Sequence, residues 1–382
     1  DLDPLEFGGN VTWQEPAVSD RVQDYLLYFA EDAIGTNRSP VGSIVPVGTS
    51  RELLAPEISQ LPAFTHLVIY TRSYLVEQTT PGYFALSDTI SIVSSIVFED
   101  LDLDFNDLGS NITWTEPIVN QQVTEYYVYL ADGSEPAKTL GDNGNMPWTG
   151  RSQLGVVSVG TDMLFVPPET PRNGYSHVVI YASSDLVEPL GPTAGQARQT
   201  TPQYLVVHDA NASVSNVDFV GKDLDLEDLG GVVSWNAPGS DYDRVLSYVV
   251  YLSLDDIGTN RSQIEQDVPY GTNMLLTPPE TPRNAYTRFV VYTKSTLVEQ
   301  TTPTAHSLFD TSALARNLDF LDIDVDRGEL AGNLTWDPPS DELHVVRYNV
   351  YLSENAYGLG RHYLGNVTVG IYELLVLLEL LI

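Results

Sequence analysis

The sequence has no cysteine, so neither disulfide staples nor thiolate metal ligands enter its architecture. Basic residues are scarce: 18 Lys and Arg stand against 52 Asp and Glu, a formal net charge of −34, and no basic cluster interrupts the excess. Binding to nucleic acid, which needs a basic footprint on phosphate, is thereby excluded as a function class. No apolar run reaches the roughly 20 residues of a membrane span. The final stretch, residues 373–382, is apolar but short and carries Glu373 and Glu379, so it reads as a buried strand or a partner contact.

Catalytic signatures are missing too. There is no His-Glu-x-x-His, no Gly-x-Ser-x-Gly elbow, no phosphate-binding loop and no dinucleotide glycine fingerprint. The six histidines are scattered, and His66 and His177 hold equivalent positions where a third copy has Arg288, the interchange of a solvent-facing site. Carboxylates are abundant, but they recur along the chain, whereas glycoside hydrolysis needs one unsymmetrical pair with separated pKa values. Catalysis is not expected in this segment.

What the chain does have is repetition. Trp13, Trp114, Trp235 and Trp336 lie 101, 121 and 101 residues apart, each in a recurring phrase such as Gly9-Asn10-Val11-Thr12-Trp13 or Gly332-Asn333-Leu334-Thr335-Trp336. Tyrosine-rich runs follow at 25–29, 126–130, 248–252 and 348–352, and a third block at 64–70, 175–181 and 286–292 is absent from the fourth copy. Near-verbatim repetition marks recent duplication of a unit of about 100 residues. The expected partition is 1–94, 95–215, 216–316 and a truncated 317–382. With no initiator methionine, the chain reads as a piece of a longer mature protein.

Short β-rich runs separated by Gly, Pro, Asn and Asp, without a helical period, make each unit all-β. In the second copy the runs 112–114, 125–130, 155–159, 163–166, 176–182 and 204–207, plus a segment before Gly109, predict a seven-stranded immunoglobulin-like sandwich. The order Trp, Pro, Tyr-x-Val-Tyr, then Pro-x-x-x-Tyr-x-x-x-Val-x-Tyr resembles a fibronectin type III domain. That resemblance implies core packing of Trp13, Trp114, Trp235 and Trp336, and a corner hydrogen bond from Tyr175 and Tyr286 that Phe64 cannot make.

Two further features bear on function. Asn-x-Ser/Thr triplets at Asn10, Asn37, Asn111, Asn211, Asn260, Asn333 and Asn366 predict N-glycans, hence a secreted, extracellular or cell-surface glycoprotein. Carboxylates also alternate with apolar residues ahead of each copy, at Asp1 and Asp3, Asp100, Asp102 and Asp104, Asp223, Asp225 and Glu227, and Asp322, Asp324 and Asp326. A strand with one carboxylate face is expected there, meeting Asp88, Asp209 or Asp310 from the end of the preceding copy. Such junctions supply the oxygens that Ca²⁺ requires and predict calcium there, while charge on an edge strand also discourages association.

The second copy alone carries two insertions of about ten residues, within 132–151 and 189–198, the first holding Trp148. Loops on a rigid sandwich are where binding is grafted. These observations support a non-catalytic structural array in an extracellular fibre, appendage or surface coat, its partners other protein subunits. Two alternatives stand beside it: an adhesin or receptor ectodomain binding protein or glycan through Trp148, and spacer domains of a larger secreted enzyme.

Overall fold

The computed structural model describes residues 2–59, 63–133, 150–186, 202–310 and 312–376. Strands dominate it, and among the described residues the only helical element is a three-residue 3₁₀ turn, Tyr242–Arg244. The chain divides into two compact units, Asp1–Ala210 and Asn211–Ile382, each containing two repeats.

The second repeat is a sandwich of two antiparallel sheets. One sheet orders Met163–Pro171, Asp107–Thr115 and Ser94–Phe98; the other orders Arg151–Ser158, Glu125–Ala131, His177–Ser183 and Gln203–Val206. Alternation along each strand sends one set of side chains between the sheets. Trp114, Tyr126, Val128, Leu130, Val178 and Ile180 meet there, all buried. The Trp114 and Tyr126 rings lie 5.7 Å apart, and the same pair recurs as Trp13–Tyr25 at 5.2 Å, Trp235–Tyr248 at 5.2 Å and Trp336–Tyr348 at 5.4 Å. Each such side chain, once buried, stabilises its repeat by roughly 1.5–3 kcal/mol.

Leu2 belongs to this same core although it lies in the first repeat. Its carbonyl accepts the Ser91 N–H at 3.1 Å, and the Ser91 hydroxyl donates to the Val119 carbonyl at 2.6 Å. Within this unit, neighbouring repeats therefore share apolar packing.

The first repeat has a five-stranded sheet, with the short strands Ser39–Pro40 and Val45–Pro46 both paired to Asp24–Ala30, but Glu6–Thr12 pairs only with Arg51–Ser59 among the described residues. In the second repeat the equivalent strand also receives Ser94–Phe98. Without that neighbour Trp13 is only half-buried, unlike Trp114, Trp235 and Trp336, and Phe84 is 67% exposed.

In the second unit, the third repeat pairs Ser215–Gly221, Asp228–Asn236 and Met274–Pro282 against a sheet built on Ser247–Ser253 and Arg288–Lys294. The fourth repeat has Arg316–Phe320, Gly332–Asp337 and Glu373–Val376 in one sheet, and Arg347–Leu352 with His362–Thr368 in the other. The first strands of repeats two to four begin at Ser94, Ser215 and Arg316, one residue ahead of the expected partition.

Candidate functional site: carboxylate clusters at the repeat ends

The alternating acidic segments are not strands. Residues 100–104 precede the strand Asp107–Thr115 and form successive turns in which each aspartate accepts the backbone N–H two residues on: Asp102 N–H to Asp100 Oδ1 at 3.2 Å and Asp104 N–H to Asp102 Oδ1 at 3.0 Å. The same pattern joins Asp225 to Asp223, Asp324 to Asp322 and Asp326 to Asp324. Aspartate competes for its own backbone in this way, and here that competition displaces the extended ladder.

In the second and third repeats these turns gather carboxylates from distant chain positions, and in the fourth the cluster is local. Oxygens of Asp102, Asp104 and Glu169 all lie within 4.8 Å of one another, as do those of Asp223, Asp225 and Glu280, and of Asp324, Asp326 and Glu329. Glu169 and Glu280 occupy the left-handed region, with φ of 61° and 59°, in the copied phrase Pro-Pro-Glu-Thr-Pro. Their N–H groups donate to Asp102 Oδ2 at 2.7 Å and to Asp223 Oδ2 at 3.1 Å. A non-glycine residue held there costs about 1–3 kcal/mol unless its surroundings fix it, and the aspartate acceptor does so. The verbatim copying of this phrase was the available signal for these glutamates.

Like charges this close oppose their own ionisation. The Asp223 carboxylate, with some desolvation and the charges of Asp225 and Asp228, raises the pKa of the exposed Glu280, and burial with the charges of Asp102, Asp104 and Asp209 raises that of Asp107. Burial pushes Asp100 up to about 6, against N–H donation from Ala210, Gly109 and Asp102. An all-oxygen donor set suits a hard divalent cation, which takes six to eight oxygens and would draw the remainder from backbone and water.

Asp88, Asp209 and Asp310 do not join these clusters. They accept the N–H groups of Leu5 at 2.8 Å, Asn106 at 3.1 Å and Glu227 at 2.7 Å, three residues with φ between 63° and 74°. Asp209 and Asp310 also pair with Arg172 at 3.2 Å and Arg283 at 3.6 Å. With a cation already beside them, these two have little call for a metal. Asp100 and Asp322 likewise serve the backbone, accepting the N–H groups of Gly109 and Ala331.

The arginines also replace the expected tyrosine corner. The Tyr175 and Tyr286 hydroxyls bond no described residue; instead Arg172 Nε donates to the Tyr175 carbonyl at 2.7 Å while its own N–H donates to Asn106 O at 2.9 Å. Arg283 repeats this with Tyr286 O and Glu227 O.

A second recurring constellation was not anticipated. Arg38 lies 4.5 Å and 4.1 Å from the ring centres of Tyr28 and Tyr70, Arg261 lies 4.6 Å and 4.3 Å from Tyr251 and Tyr292, and Arg151 sits over Tyr129 and Tyr181. Glu77 and Glu299 complete two of these clamps, accepting from Tyr28 and Arg38 and from Tyr251 and Arg261. Gly35 and Gly258, at φ of +85° and +84°, let the loop pass under the tyrosine hydroxyl, where a Cβ would come within 1.9 Å. The copied Gly-Thr-Asn-Arg phrase at 35–38 and 258–261 was the visible trace.

His66 and His177 stack edge-on against Tyr83 and Tyr204 on exposed sheet faces. Trp148 lies outside the described residues, as does most of both insertions of repeat two. All seven sequon asparagines are exposed.

Among the described residues of the second repeat a three-stranded sheet faces a four-stranded one, with the tryptophan and its tyrosine between them. The repeats are fibronectin type III-like sandwiches. No protein-family model matches the sequence, and no curated protein does. Among solved structures, the chain is similar to the FN1–FN3 domains of chicken CNTN1, at 11% identity over 82% of this chain and 97% of that one, with a TM-score of 0.25. It is also similar to the central fibronectin-III array of RIM-binding protein, at 10% identity over 79% and 92%, with a TM-score of 0.20. The assignment rests on the strand order and sheet partition. Among the described residues no helix is long and apolar enough to cross a membrane.

Proposed function

We propose that this chain is a non-catalytic stretch of a structural array in an extracellular fibre, appendage or surface coat, in which fibronectin type III-like repeats give reach and stiffness. The observation that carries this reading is Leu2, which leaves its own repeat and completes the core of the next. A repeat whose core includes a neighbour's side chain resists bending at that joint, because hinging would expose the leucine to water. Seven exposed sequons support a glycosylated surface. The carboxylate clusters built on Asp102, Asp223 and Asp324 are the sites where Ca²⁺ would neutralise converging charge and tighten each repeat end. Imaging the native particle tests the reading: regular lateral contacts between chains support it, and a single unassociated chain carrying a catalytic domain overturns it. A melting temperature unchanged between EGTA and millimolar Ca²⁺ removes calcium from the account.

A further inference from the structure

Three of the seven sequons share a placement that the other four do not. Asn10, Asn111 and Asn333 lie on the strands Glu6–Thr12, Asp107–Thr115 and Gly332–Asp337, each exposed and each directly opposite one residue of the neighbouring strand. Those residues are Leu53, Phe165 and Leu375. All three are apolar and outward-facing, with 57%, 51% and 56% of their surface exposed. Directly opposed residues on one sheet face hold their Cβ atoms about 4.5–5.5 Å apart. Asparagine is a poor strand residue and offers no apolar surface to a leucine or phenylalanine, yet this pair occurs in three repeats of four.

The third repeat is the natural control. There the sequon is lost, the asparagine position is Val232, and it faces Leu276, 64% exposed. The position opposite the exposed apolar side chain is thus filled either by a glycosylation acceptor or by an apolar residue. Both solutions cover the same spot.

We infer that N-glycans on Asn10, Asn111 and Asn333 act as covers for Leu53, Phe165 and Leu375, the first sugar ring laying its C–H face on the apolar side chain across the strand pair. This deepens the glycoprotein reading above and rests on it. The attachment joins the asparagine Nδ2 to the anomeric carbon of an oligosaccharide carried on a lipid diphosphate. The glycosyl–phosphate bond breaks, the lipid diphosphate leaves, and Nδ2 gives up one proton. The Asn10 and Asn111 amides bond no other described side chain, and the Asn333 amide donates only to Glu373 at 2.9 Å. The linkage therefore breaks no side-chain hydrogen bond at Asn10 or Asn111, and at Asn333 it leaves one Nδ2–H to serve Glu373. The sequons Asn37, Asn211, Asn260 and Asn366 lack such an opposed residue: the first three lie outside the strands, and Asn366 pairs with Asn349. They are the controls.

The test uses the whole chain secreted from a glycosylating eukaryotic host, with site occupancy read by mass spectrometry and apolar exposure by binding of a hydrophobic fluorescent dye. Asn111→Gln should raise dye binding several-fold and lower the melting temperature, Phe165→Ser should abolish the rise in dye binding, and Asn260→Gln should change neither. Asn10→Gln with Leu53→Ser repeats the comparison on another repeat, in case one phenylalanine variant folds poorly. Trimming each glycan to its first sugar should leave dye binding low. Equal responses to Asn111→Gln and Asn260→Gln, with both sites occupied, overturn the cover while leaving the glycoprotein reading intact. No occupancy at any sequon overturns both.

Discussion

Leu2 hands its carbonyl to the Ser91 N–H at 3.1 Å and its side chain to the core of the second repeat. The third repeat makes the same backbone contact, Ala313 N–H to Leu224 O at 3.0 Å, but leaves Leu224 37% exposed. Replacing Leu2 with alanine should cost about 2–5 kcal/mol, the usual penalty for emptying a buried leucine site. Leu224→Ala should cost clearly less. Urea unfolding of the two variants checks the difference, and equal losses would remove Leu2 from its role as a joint.

Asp100 should make the protein less stable as pH rises through the acid range. Its folded pKa of about 6 lies above the ordinary 3.8 because burial disfavours the anion. The native state therefore holds this proton more tightly than the unfolded chain does. The associated stability is fully present below about pH 4 and is lost as pH rises to about 6, a change of up to about 3 kcal/mol. With chelator present to keep metals away, the urea midpoint of Asp100→Asn should show a flatter slope across that window than the parent, whatever its absolute stability. Identical slopes would contradict the assignment.

Glu280 combines a left-handed backbone with a charge aimed at Asp223. In chelator, Glu280→Gly should be more stable than the parent, since glycine adopts that φ freely and one repelling carboxylate is gone. In millimolar Ca²⁺ the ranking should reverse, because the variant loses a ligand. Calorimetry in the two buffers distinguishes the outcomes, and a variant that stays ahead in both would show that the cluster takes no cation.

The Arg261 clamp is worth about 1–2 kcal/mol on the ordinary scale for a cation between two rings with an ion pair behind it. Arg261→Met keeps the aliphatic stem and removes the charge, so the loss it produces isolates the electrostatic part. Arg361, with a single ring 5.2 Å away, should respond less to the same change. Thermal melts of the two variants make the comparison.

Much of the sandwich is legible in the residues themselves. The runs at 125–130 and 176–182 anticipate the strands Glu125–Ala131 and His177–Ser183 almost to the residue, because alternation and β-branched content are local properties. The acidic segments misled for the same reason: Asp-Leu-Asp has a strand's period, and only the aspartate-to-backbone hydrogen bonds turn it aside. Trp13 shares its phrase with Trp114 yet is half-exposed, since its burial depends on a strand beside residues 6–12 and not on the phrase.

The tryptophan intervals, the all-strand character, the charge and the sequons belong to the sequence alone, because each is written in neighbouring residues or in the copying of whole phrases. Which carboxylates converge was settled by the tertiary structure. Glu169 reaches Asp102 across 67 residues and Asp100 meets Ala210 across 110, separations over which no periodicity carries information. The same holds for Leu2 in its neighbour's core and for Phe165 beside Asn111, pairings that exist only once two distant strands have settled into register.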